Sequence, residues 1–412
     1  MCNRVLLITW FYPPLNSTAS KRAGCFAKFL PEHDWYPVVL SPEWTPDNCV
    51  YDKDFVRNIP ETVRLVSLRH ERSTETSIFY WLSAKARNLI MPHLDPYSWW
   101  LKAQKPMVTL FEQYMFSAIW ATAPMALPHA LAHWASKKWG VPWIADFRDI
   151  YGEFNRDYIG DRLKYPIRLI QEMRYLKNAS AIVTVSEGLA EVMTKRHGRK
   201  VHVIPNGYDP DSVLEDGQGT SKHPKFNITY TGALLLPQRN PVPVLDALKQ
   251  LSEAGQIDLN DVSVDFYGVP REVIEKVMNG HACKHIIRVF SRVSAEECIN
   301  VQRSSAILLQ LAHSEERGIM TGKIFEYLAA RRPIISVPKD GDCVDGLLKE
   351  TNAGVSCTTV DEIAKQLYVW YLEWKRTGNI EQHVNKGAML KYSRREQTKQ
   401  LAYLLNQIVA DR

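Results

Sequence analysis

Apolar positions in this chain fall into short β-branched runs separated by longer stretches with helical spacing. Val5 to Ile8 read as the buried centre of a strand over Arg4–Thr9, followed by a loop to Ser20, a helix from about Lys21 to Leu30 and a strand over Val38–Leu40. Further strands are expected at Thr62–Ser67, Ser117–Ala121, Val141–Ala145, Ala181–Val185 and Val201–Ile204, with helices ending near Lys138 and spanning Arg162–Asn178 and Glu187–Lys195. The pattern restarts with strands at Phe226–Thr231, Val262–Tyr267, His285–Phe290 and Ala306–Leu311, interleaved with helices at Pro241–Glu253 and Arg271–Met278. Strand Gly354–Cys357 and helices near Val360–Arg376, Glu381–Lys391 and Arg394–Val409 complete the chain. Such alternation predicts parallel sheets covered by helices, an α/β fold. The Asn-Gly turn in PNGYDP, Pro205–Pro210, and the polar run Glu215–Lys225 divide the pattern into two halves.

The densest chemical signal is GIMTGKIFEYLAARRPIISV, Gly318–Val337. It reads as a loop, a helix from about Thr321 to Arg331 that Pro333 ends, and a strand to Val337. Ile324, Phe325 and Leu328 share one helical face, and Ala329 and Ala330 permit close approach to a sheet. Lys323 and Glu326 stand three residues apart near the helix start, where backbone N–H groups lack intrahelical partners. Two readings fit: a surface ion pair, or a niche for a phosphate beside a hydroxylated group.

Composition changes this picture little. A chain of 412 residues holds two or three domains, and a net charge of +6 suits acidic ligands or an anionic membrane surface. Seven cysteines, odd in number and without a CxxC, point to reduced thiols. The start MCNRVLLITWFYPP has too short an apolar stretch for a signal peptide, and no run reaches the roughly 18 apolar residues of a spanning helix. The expectation is a cytoplasmic protein. Aromatics interleaved with cations across Thr76–Phe111 suit either peripheral contact with an anionic membrane or a core helix with snorkelling cations. No His/Cys/carboxylate cluster has the spacing of a structural metal site, and no Ser–His–Asp arrangement or pair of catalytic carboxylates is apparent.

Several strings resemble family 4 glycosyltransferases. KIFEYLAARRPIISV is similar to the second half of the family's donor signature, with Arg332 where a small residue usually precedes Pro333. PNGYDP resembles its interdomain hinge. WFYPPLNSTASKRAG, Trp10–Gly24, resembles its first-strand loop, with Ser17 to Ser20 in place of a Gly-rich turn; the alternative is a plain loop in which Ser20 caps the helix. DFRDIYGEF, Asp146–Phe154, resembles the D-x-R-D-x-W segment of polysaccharide-building members, with Tyr151 at the Trp position. GALLLPQRNP, from Gly232, resembles the first C-terminal loop, with Arg239 as its one cation, and DPYSWW at Asp95–Trp100 resembles a feature of bacterial members.

The resemblance implies the GT-B architecture: two Rossmann-like domains facing a central cleft, over 1–206 and 207–393, with a terminal helix over 394–412 crossing back to the first. It implies retaining, metal-independent, hexosyl-type transfer from a nucleotide-diphosphate sugar to a glycan or lipid-linked acceptor in surface polysaccharide synthesis. No cofactor beyond the donor and no nucleic-acid partner is expected, and peripheral association with the inner membrane face is. The implied donor residues are Gly232, Arg239, Arg292, Val293, Gly322, Lys323, Ile324 and Glu326, with Lys323, Arg239 and Asp149 serving catalysis. Ser17, Arg22, Arg148 and Asp149 fall on the acceptor side; for Arg148 and Asp149 the alternative is an internal clamp that holds the loop. The chain departs from the pattern at Gly318, where the family's first Glu would stand eight positions before Glu326, with Glu315 and Glu316 out of step. A nucleotide-sugar-binding protein without turnover, and a sugar-nucleotide epimerase, are the alternatives.

Overall fold

A computed structural model of the chain describes residues 3–47, 49, 51, 58–69, 97–123, 126–149, 159–213, 224–234, 236–312 and 320–412. The chain forms two compact units. The first comprises Met1–Pro205 with Arg394–Arg412, and the second comprises Asn206–Ser393.

The first unit is built on seven parallel strands: β1 (Asn3–Thr9), β2 (Trp35–Pro42), β3 (Arg64–Leu68), β4 (Ala118–Thr122), β5 (Trp143–Phe147), β6 (Ala181–Thr184) and β7 (Val201–Val203). Their order, β3-β2-β1-β4-β5-β6-β7, reverses direction between β1 and β4. Side chains alternate between two cores. Leu6, Ile8, Ala121 and Ala145 face one, and Val5, Leu7, Trp120 and Ile144 face the other. The second core also receives Leu401, Leu405 and Ile408 of the terminal helix Arg394–Ala410. Each such Leu or Ile contributes roughly 1.5–3 kcal/mol by leaving water.

Three local expectations change. Ser17, not Ser20, caps the first helix, Thr18–Phe29: its extended backbone (φ −146°) lets its Oγ accept from the Ser20 N–H at 3.1 Å. Strand β5 runs to Phe147, so Asp146 lies inside the sheet rather than beyond it. The described part of the aromatic–basic stretch is a core helix, Tyr97–Gln113, burying Trp99, Ala103 and Met107 while Leu101, Lys102 and Lys105 face outward. Trp99 meets Trp10 edge-on at 5.4 Å. Residues 76–96, with the earlier part of that stretch, lie outside the described residues. Among the described residues no helix is long and apolar enough to cross a membrane.

The second unit is a parallel sheet of six strands: β8 (Phe226–Thr231), β9 (Val262–Tyr267), β10 (Ile287–Phe290), β11 (Ile307–Leu311), β12 (Ile334–Val337) and β13 (Gly354–Ser356). The order β10-β9-β8-β11-β12-β13 reverses between β8 and β11. One face packs Ile228, Tyr230, Val264, Phe266 and Leu309; the other packs Leu308 and Ile334 beneath the helix Gly322–Ala330. That helix ends at Arg331, which takes a left-handed conformation (φ 52°), two residues before Pro333. The expected helix over Glu381–Lys391 is confined to Lys386–Leu390.

Candidate functional site

In open parallel sheets, ligands gather beyond the carboxyl ends of the strands where the order reverses. In the second unit that point lies between β8 and β11. Gly232, directly after β8, has φ +102°, and its N–H donates to the Tyr267 carbonyl at 2.8 Å. Gly268, after β9, has φ +79° and donates to the Phe290 carbonyl at 3.1 Å. The two glycines let the strand ends turn together. Gly232 also makes room: a Cβ there would lie 3.3 Å from Cε and 3.5 Å from Nζ of Lys323.

Lys323 is the second residue of the Gly322–Ala330 helix, and its Nζ sits 3.4 Å from the centre of the Tyr230 ring. The residue is partly exposed, with its ammonium end enclosed. Burial, and then the Arg239 charge, pulls its pKa well below the ordinary lysine value, while Glu326 opposes the shift. Arg239 donates Nη1 to the Ala233 carbonyl at 3.3 Å, and the Tyr230 hydroxyl donates to the same oxygen at 2.7 Å. The hydroxyl of Thr321, the helix N-cap, makes no capping bond, so it does not occupy the first N–H groups of the helix.

The structure therefore brings Gly232, Arg239, Gly322, Lys323 and Glu326 into one neighbourhood. Ile324 has its side chain fully buried in the core and can serve a ligand only through its backbone. Arg292, exposed, and Val293, half-buried, follow the edge strand β10, two strands from Gly232. Gly318, Glu315 and Glu316 lie outside the described residues.

The position of Lys323 depends on residues that sequence reasoning passed over. Tyr327, four residues on and so on the same helical face, is fully buried. Its hydroxyl accepts from the Thr231 N–H at 3.0 Å, tying the helix to the end of β8. Gln302, also buried, donates to Thr231 Oγ1 at 3.0 Å. The only sequence signal was a tyrosine and a glutamine at positions a core would fill with apolar groups. Tyr327→Phe is expected to lower stability by about 1–3 kcal/mol, because the buried Thr231 N–H loses its acceptor. Urea unfolding would measure this, and an unchanged midpoint would contradict the assigned bond.

In the first unit the acceptor-side expectation for Arg22 is corrected. Arg22 is fully buried and grips Asp146 with Nε (3.0 Å) and Nη2 (2.6 Å), while Nη1 donates to the carbonyls of Ile204 and Pro205, each at 3.0 Å. A carboxylate inside a strand requires such a partner, and a guanidinium so engaged cannot also reach a ligand. Thr122 Oγ1 completes the shell of Asp146 at 2.7 Å. His129 contacts the Ala121 and Asp146 carbonyls through Nε2, and burial pushes its imidazole down to about 4. Arg148 and Asp149 directly follow β5, with Nη2 of Arg148 at 4.0 Å from Asp149 Oδ2. Ser17 faces its own helix as cap. Tyr151 lies outside the described residues. No group of three or more His, Cys, Asp or Glu that could hold a metal occurs among the described residues.

Two doubly wound parallel sheets in succession, the second with a basic, glycine-lined niche at its switch point, are the sheets of a GT-B fold. Residues 61–207 match the family model described as a glycosyl transferase 4-like domain. Among solved structures it is similar to Anabaena HepE in complex with UDP and glucose (TM-score 0.63, 13% identity, 98% of this chain and 100% of that one). It is also similar to the sucrose-phosphate synthase of Thermosynechococcus elongatus (0.64, 11%, 100% of both chains). A third likeness is to WaaG, a glycosyltransferase involved in lipopolysaccharide biosynthesis (0.57, 10%, 97% of this chain and 99% of that one). At these identities the likeness is one of fold. No curated protein matches the chain in sequence.

Proposed function

We propose that the chain is a family 4 glycosyltransferase that moves a sugar from a nucleotide-diphosphate sugar to a glycan or lipid-linked acceptor, with retention and without a metal ion, in surface polysaccharide synthesis. The observation that carries the reading is Lys323, enclosed against Gly232 and Tyr230 at the switch point with the Arg239 charge beside it. Breaking the bond between the anomeric carbon and the β-phosphate oxygen leaves negative charge on the diphosphate. Lys323, Arg239 and the N–H groups at Gly322 and Lys323 supply fixed positive charge where that negative charge develops. With this neutralisation built from side chains and helix amides, a divalent cation is not required. Glu326 takes the ribose hydroxyls, and the backbone at Arg292 and Val293 takes the base. Asp149 and Ser17 stand on the acceptor side. The HepE complex with UDP and glucose supports a nucleotide-sugar donor, and WaaG supports a cell-surface glycan as product. The protein works in the cytoplasm, at the inner face of the membrane.

The test is a panel of nucleotide sugars offered with lipid-linked and free glycan acceptors, with products read by mass spectrometry. Acceptor-dependent release of nucleotide that persists in EDTA is the expected result. A strict Mg²⁺ requirement overturns the metal-free mechanism. Tight nucleotide binding with no turnover on any donor leaves a binding protein, and turnover of the sugar nucleotide without acceptor leaves an epimerase.

A further inference from the structure

Three guanidinium groups of the first unit gather around one buried carboxylate, Asp146. Arg22, Arg148 and Arg394 lie within electrostatic reach of one another around Asp146. The Asp146 carboxylate accepts three hydrogen bonds, two from Arg22 and one from Thr122. Arg394 is 2% exposed, donates Nη1 to Gln397 at 3.1 Å, and is held down to about 9 by burial and then by the Arg22 charge.

Arg148 is the member of this group placed to meet a ligand. Its side chain is 10% exposed, and its Nε donates to the Ala123 carbonyl at 3.0 Å, which fixes the plane of the guanidinium. Among the described residues Nη1 and Nη2 have no hydrogen-bond partner. Asp149, 48% exposed, is the nearest carboxylate among the described residues, at 4.0 Å from Nη2 and beyond hydrogen-bonding distance. Burial pulls the Arg148 pKa below its ordinary value even though Asp149 and Asp146 oppose the shift. Leaving guanidinium N–H groups enclosed and unbonded is costly. The residue directly follows β5, and Ala123 directly follows β4, so the group stands at the carboxyl edge beside the β1/β4 reversal.

We infer that Nη1 and Nη2 of Arg148 hold an oxyanion, phosphate or carboxylate, carried by the acceptor. A planar fork with one nitrogen already anchored matches the two oxygens of such a group. Arg22 and Arg394 do not touch the anion; they raise the local positive potential. The identity of the ligand as acceptor rests on the transferase reading above, which this inference extends by giving the acceptor a negative charge.

The experiment uses the full chain carrying Lys323→Ala, which removes the basic side chain on the donor side. Inorganic phosphate and glucuronate are titrated in by calorimetry. One or both are expected to bind, phosphate alone pointing to a phosphorylated acceptor and glucuronate alone to an acidic sugar. Adding Arg148→Gln should weaken the binding at least about tenfold, and Arg148→Lys should recover part of it, since the charge returns without the fork. Asp149→Asn, which removes an opposing carboxylate beside Arg148, should tighten binding about two- to fivefold and decides the matter if the Arg148 variants do not fold. Binding by neither probe, equal affinity in Arg148→Gln, or no change in Asp149→Asn overturns the inference. Because no sugar transfer is read, a chain that binds the probes through Arg148 yet never turns over a donor would defeat the transferase reading alone.

Discussion

Lys323→Ala is expected to lower kcat/KM for sugar transfer by about 10²–10³-fold, the size of effect seen when one preorganised donor to a developing oxyanion is removed. The ammonium is enclosed beside Gly232, where even a methyl group on the glycine would press on it at 3.3 Å. Lys323→Arg should not restore the rate, because its larger head has no space there. The loss should appear mainly in kcat if the charge acts on the leaving diphosphate, and in KM if it acts equally on the bound donor. Steady-state kinetics at varied donor concentration separate the two, and a fully active Lys323→Ala enzyme removes this residue from the mechanism. The variant should remain folded. The Lys323 pKa is lower in the folded than in the unfolded chain, so the folded state binds fewer protons between those two values. Stability therefore rises with pH from the depressed folded value toward the ordinary 10.5, and Lys323→Ala should flatten that part of the profile.

Arg22→Ala is expected to destabilise the first unit by about 3–5 kcal/mol, the usual consequence of stranding one partner of a buried ion pair. Asp146 would be left fully enclosed, keeping Thr122 as its one side-chain donor among the described residues, and the carbonyls of Ile204 and Pro205 would lose the Arg22 donor. Arg22→Lys should rescue little, since a single ammonium cannot serve four oxygens from three residues. Arg22→Met combined with Asp146→Asn should recover a large share, because neither buried charge then remains. Chemical denaturation followed by tryptophan fluorescence reads these differences. A loss below about 1 kcal/mol for Arg22→Ala would mean that the pair is not a principal support of the unit.

The contrast between these two residues shows what was legible in the sequence. Strands buried on both faces announce themselves as apolar runs, and β8 and β9 fall residue for residue where Phe226–Thr231 and Val262–Tyr267 were expected. The placement of Lys323 at a helix start, beside a glycine and with a carboxylate one turn on, was legible because all three are local in sequence. Arg22 was misread for the opposite reason. It follows the right kind of loop, but its partner lies 124 positions away, and no local pattern reports a pairing across the sheet. Tyr327 was overlooked because a buried hydroxyl bonding a backbone N–H cannot be told from a core aromatic by spacing. Trp99 and its neighbours carry the composition of a membrane interface, yet their apolar faces turn into the core.

The aromatic face beneath Lys323 has one more effect. An ammonium waiting in a hydrogen-bonded pair with a carboxylate must break that pair each time a diphosphate arrives and remake it each time one leaves. Resting on the Tyr230 ring at 3.4 Å, Lys323 has no such pair to break among the described residues. For a donor-binding site such a ring would be a parking place rather than a lock, ready to take the cation back when a nucleotide leaves.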